Sequence, residues 1–67
     1  MTNEERYQRR FNVAKSVIDR VSDFDQSIAS ILYQRLEALS DISDMTFKSQ
    51  ELTEIISDAQ SQINSHF

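Results

Sequence analysis

The widest apolar arc in the chain lies between Ile28 and Ile42. On a helix at about 100° per residue with Leu32 at zero, Ile28, Leu36 and Leu39 fall within about 40°, and Ile31 and Ile42 near −100° and −80°. Roughly 160° of that surface is apolar, where a one-sided surface helix needs about 100°. This predicts a central helix over about residues 25–40, packed on more than one neighbour.

Ahead of it, Tyr7, Phe11, Ala14, Ile18 and Val21 recur at spacings of four and three, the seam of a helix over about 3–22. Thr2-Asn3-Glu4-Glu5 has the S/T-x-x-E form of a capping box, with acids in the first turn where they meet the helix dipole. The same helix carries a second stripe. With Arg6 at zero, Arg9, Arg10, Val13, Val17, Arg20 and Phe24 all lie within about 60°. Two readings apply: Val17 and Phe24 widen the core while arginine stems lie across it, or this face binds a partner, since Arg and aromatic residues are enriched at interfaces. The partner-binding candidates are Arg6, Arg10, Val13, Val17, Arg20 and Phe24, with Tyr7 and Phe11 assigned to the core.

A third helix is expected over about 45–65, with Leu52, Ile56, Ala59 and Ile63 as its seam, Ile55 beside it and Met45 extending it backwards. Glu51, Glu54 and Asp58 point away, as a solvated face does. Phe47 sits among those acids, either tucked under the preceding turn or exposed; Phe67 either extends the seam or frays.

The two joins differ. Around Ser22-Asp23-Phe24-Asp25-Gln26, Ser22 or Asp23 can cap a new helix, and Asp23-x-x-Gln26 imitates a capping box. Yet the seams on either side agree in phase within about 20°, so one helix can also run straight through. Between Leu39 and Leu52 the seams are roughly 220° out of phase, and Ser40-Asp41-Ile42-Ser43-Asp44 is rich in residues that bond their own backbone. The chain turns there, with Ser43 or Asp44 as N-cap. The fold class is therefore all-α: a small three-helix bundle, or a helical hairpin with one long arm that oligomerises to cover itself.

Composition sharpens this picture. The 67 residues form a single domain and include no Gly, Pro or Cys, so turns fall to Ser, Asp and Asn, and disulfides and thiolate metal sites are excluded. Apolar runs are too short to span a membrane, and the charged N-terminus lacks the apolar stretch of a signal peptide. A soluble, cytoplasmic protein is expected. Net charge is −4, unevenly spread: residues 1–36 hold six bases and five acids, residues 37–67 one base and six acids. The acidic balance argues against a nucleic-acid binder, which is ordinarily basic.

No constellation for catalysis is visible. His66 is the single histidine and has no spaced partner for a metal or a general base, and without glycine there is no phosphate-cradling loop of the known motifs. No catalytic residue, cofactor or metal is expected. Ser49-Gln50-Glu51-Leu52 resembles the S-x-E-L-D signature of the helical-hairpin phosphatases that act on response regulators in sporulating bacteria. The Asp on which that activity depends is Thr53 here, so the activity does not carry over. In outline the chain is also similar to the acidic helical-hairpin co-chaperones of type III secretion needle subunits. The sequence thus points to a non-enzymatic protein interaction module, binding itself or another protein as an adaptor, co-chaperone or inhibitor. The rival class is a regulator of nucleic-acid transactions, acting directly or by occupying a DNA-binding protein.

Overall fold

A computed structural model describes residues 2–67 as three helices, α1 (Asn3–Ser22), α2 (Gln26–Ala38) and α3 (Met45–His66), with a 3-10 turn over Leu39–Asp41 after α2. They form a three-helix bundle. The long-armed hairpin is ruled out by size: an arm of about 40 helical residues would span about 60 Å, and the molecule measures 35 Å along its longest axis.

Side chains make the turns. Thr2 opens α1 by accepting from the Glu5 amide at 3.1 Å, and Asp44 opens α3 by accepting from the amides of Thr46 and Phe47 at 2.9 and 3.2 Å. The first break departs from the expected cap. Ser22 is the last residue of α1, with its hydroxyl donating to the Asp19 carbonyl, and Asp23 closes that helix in right-handed geometry. The N-cap of α2 is Asp25, in extended backbone, accepting from the Ile28 amide at 3.0 Å. The later break lets the Phe24 and Asp25 amides close on the Val21 carbonyl at 3.1 and 2.8 Å. The end of α1 is thus satisfied before the next helix begins.

α1 and α3 run parallel, for Arg10 meets Ser49 and Thr53 near their starts and Phe24 meets His66 at the far end. α2 runs against both. The core takes Ala14, Ile18 and Val21 from α1, Ala29, Leu32 and Leu36 from α2, Leu39 from the 3-10 turn, and Leu52, Ile55, Ala59 and Ile63 from α3. Each helix thus supplies one buried alanine, which permits close approach of the backbones.

Two positions differ from the periodicity. Ile31 is 58% exposed: the buried arc of α2 is shifted towards Ala29 and Tyr33, and Ile31 falls outside it. Ile55 is fully buried whereas Ile56 only flanks the core, because α3 turns its seam between its two neighbours by about one residue. Phe47 is exposed.

If Asp25 rather than Asp23 starts α2, Asp25→Ala lowers unfolding free energy by about 1 kcal/mol, while Asp23→Ala stays within about 0.5 kcal/mol. Urea denaturation followed by circular dichroism measures both.

Candidate interaction surface

The arginine-bearing stripe of α1 forms the edge of that helix beside α3. Counting from Tyr7 on the core side, Arg10, Val17, Arg6, Val13 and Arg20 follow at about −60° to −140°, and the opposing edge of α3 carries Ser49, Ile56 and Thr53. Arg10 spans the gap, its Nη2 donating to the Ser49 carbonyl at 3.4 Å and to the Thr53 hydroxyl. Thr53 in turn donates to the Ser49 carbonyl at 3.0 Å. Arg10 is therefore half-buried and ties α3 to α1, with one guanidinium nitrogen committed and others free.

The six candidates separate along this edge. Arg6 and Arg10 line a cleft of about 400 Å³ between the first turns of α1 and α3. Val13, one turn on, is 51% exposed. Val17 is half-buried against the core. Arg20 lies exposed in the last turn of α1. Phe24 packs on the core at the opposite end, where His66 stacks on it with centroids 4.0 Å apart and planes 5° from parallel. Phe67 stands edge-on to the same ring at 6.2 Å and is otherwise open to solvent.

Periodicity gave no sign of this aromatic closure, because a helical wheel shows which face a residue occupies and not which distant turn lies above it. It was likewise silent on Asp58, read as solvated, which meets Arg35 of α2 at 2.7 Å. Both partners are partly exposed, so that pair is worth only about 0.2–1 kcal/mol.

Tyr7 forms the floor where the cleft meets the core. Its ring lies 6.1 Å from Phe11, and Lys48 of α3 extends over it, Nζ 4.9 Å from the centroid, a cation–π contact. The hydroxyl is shut off from solvent and has no hydrogen-bond partner, an arrangement that costs roughly 1–3 kcal/mol against a satisfied group. Burial pushes the Tyr7 phenol above its ordinary value of 10.0. Among the described residues no group of three or more His, Asp or Glu side chains is placed to hold a metal ion, and no helix is long and apolar enough to cross a membrane.

The raised phenol pKa sets the sign of an alkaline effect. The fold holds the Tyr7 proton more tightly than the unfolded chain does, so Tyr7 leaves stability untouched below about pH 10 and lowers it as pH rises past the unfolded value. Tyr7→Phe should remove that share of the alkaline loss and delete the later-titrating phenolate from the absorbance titration; at neutral pH it should be neutral or stabilising. No family model, curated protein or solved structure matches the chain, and its function rests on these surfaces alone.

Proposed function

We propose that this chain is a non-enzymatic protein–protein interaction module whose working surface is the α1 edge beside α3. The observation that carries the reading is Val13: a large apolar side chain, 51% exposed, on a helix whose own seam already fills the core. It stands between Arg10 on one side and Arg20 on the other, the combination of apolar centre and arginine rim that protein interfaces favour. Val17 and Phe24 serve this surface from beneath, since they pack on the core and set the shape of the edge. A helix from a second copy, or from a different protein with an acidic flank, fits such an edge. The acids of α3, Glu54 and Asp58, lie exposed on another side of the molecule, so a second copy supplies complementary charge.

The test is the mass of the native chain and of Val13→Glu/Arg20→Glu by light scattering over a wide dilution range, with helicity followed by circular dichroism. The expected result is an oligomer in the native chain that the double variant abolishes with helicity unchanged. A native chain that stays monomeric throughout removes self-association, and cross-linking to other proteins that the variant leaves unaltered removes the surface altogether.

A further inference from the structure

The cleft at the start of α1 and α3 is distinctive within this acidic chain. Eleven of 67 residues are Asp or Glu, yet the cleft is lined by Asn3, Arg6, Tyr7, Arg10, Thr46 and Ser49, together with Met45 and Gln50, and no acid is among them. Apart from Tyr7, whose hydroxyl is shut off from solvent, every polar side chain in that lining can donate a hydrogen bond. The acid nearest in sequence, Asp44, already accepts from the amides of Thr46 and Phe47. Glu4 and Glu5 project from other faces of α1, at about 60° and 160° from Tyr7, away from the α3 side.

Positive charge gathers there without compensation. Among the described residues the Arg6 guanidinium makes no hydrogen bond or ion pair within the chain, and the one ion pair formed is Arg35 with Asp58 on the other side of the bundle. Arg10 has donors left after its contacts with α3. Lys48 lies over the Tyr7 ring but is not among the residues that line the cleft. Two arginines held one turn apart on a rigid helix match a group with several anionic oxygens better than they match a planar carboxylate, because their forks and the Thr46 and Ser49 hydroxyls approach from different directions. The cleft volume of about 400 Å³ lies in the range of small-molecule sites, so it has room for more than a bare anion.

We propose that this cleft binds a phosphate group carried by a small ligand, with Arg6 and Arg10 clamping its oxygens, Thr46 and Ser49 completing the donor set, and the Tyr7 and Met45 side chains contacting the body of the ligand. The cleft shares Arg10 with the edge proposed above, but the two tests are separate, because Val13→Glu/Arg20→Glu alters no residue of the cleft lining.

The experiment is titration of ¹⁵N-labelled protein with inorganic phosphate, glycerol 3-phosphate and AMP at constant ionic strength, with acetate as the carboxylate control. Amide shifts should saturate and stay within residues 3–10 and 45–50, and acetate should bind more weakly than any phosphate compound. The tightest of the three distinguishes a free anion from a simple ester and from a nucleotide. Arg6→Gln, which breaks no hydrogen bond or ion pair of the fold, should weaken binding roughly tenfold or more, as loss of a charged hydrogen-bonding partner does, whereas Arg20→Gln, with the same charge change about 20 Å further along α1 and outside the cleft lining, should alter it less than about twofold. Equal weakening by the two variants, shifts that never saturate, or acetate binding as tightly as phosphate would each overturn the site. Unchanged circular dichroism of Arg6→Gln keeps a failure of binding distinct from a failure to fold.

Discussion

No described residue adopts a positive φ, and with no glycine in the chain each helix has to end in right-handed geometry and restart on a side-chain oxygen. Roughly a third to a half of helices in proteins end on a left-handed residue that releases the chain; here the carbonyls at the end of α1 are closed by amides of the next residues, and Asp25 then begins α2. Such a turn is short and directed. It reverses the chain between Ser22 and Gln26, and a second reversal through the 3-10 turn and Asp44 brings α3 back alongside α1. Two tight reversals in succession make α1 and α3 parallel neighbours. From that follow both the Arg10 link at one end and the aromatic stack at the other.

The core that results is small: among the described residues, eleven buried side chains from four elements, with no buried charge. Its edges therefore matter more than they would in a larger domain, where the buried fraction is greater. Arg10 closes one edge of the α1–α3 seam by reaching a carbonyl whose own helix has also given it to Thr53. His66 and Phe67 close the far end by covering Phe24, so the last turn of α3 has something to hold it. On the remaining side Arg35 and Asp58 flank a smaller groove of about 250 Å³ lined by Ile28, Ile31 and Leu32. Ile31 remains exposed there with no second feature to mark what would cover it.

Much of this was legible in the residues, and the parts that were not share one cause. Thr2 and Asp44 announce themselves because a cap is a local event, a side chain bonding amides two or three residues on. The α1 seam is legible because period and burial coincide at Ala14, Ile18 and Val21. Ser22, Asp23 and Asp25 all satisfy the local rule for a cap, and the choice of Asp25 is made by the end of α1, where the Val21 carbonyl has to find donors. Ile31 and Ile55 were misplaced by one step around their helices: the phase of a stripe gives a direction, and the position of two neighbours decides its edges. The Phe24–His66 stack joins residues forty-two positions apart, and periodicity along one helix holds no information about the reach of another. Of the six candidate residues, Arg6, Val13 and Arg20 are exposed, Arg10 is half-buried in its link to α3, and Val17 and Phe24 lie at the core boundary. The core-widening reading of that stripe thus holds at Val17 and Phe24.

The parallel pairing also decides where charge can act. Arg6 and Arg10 belong to the basic half of the sequence, yet Lys48, the lone base of the acidic half, is carried to the same end because α3 starts where α1 starts. Arg6 and Arg10 line the cleft beside Tyr7 and Lys48 lies over its ring, while Asp58 of α3 turns towards α2 and Glu54 outward. An asymmetry that in the sequence looks like a division between halves becomes in the fold a division between faces. A basic cleft at one end and an acidic helix surface alongside occupy separate parts of a molecule 35 Å long. At a Debye length of about 8–10 Å, charges on faces farther apart than that are largely screened from one another.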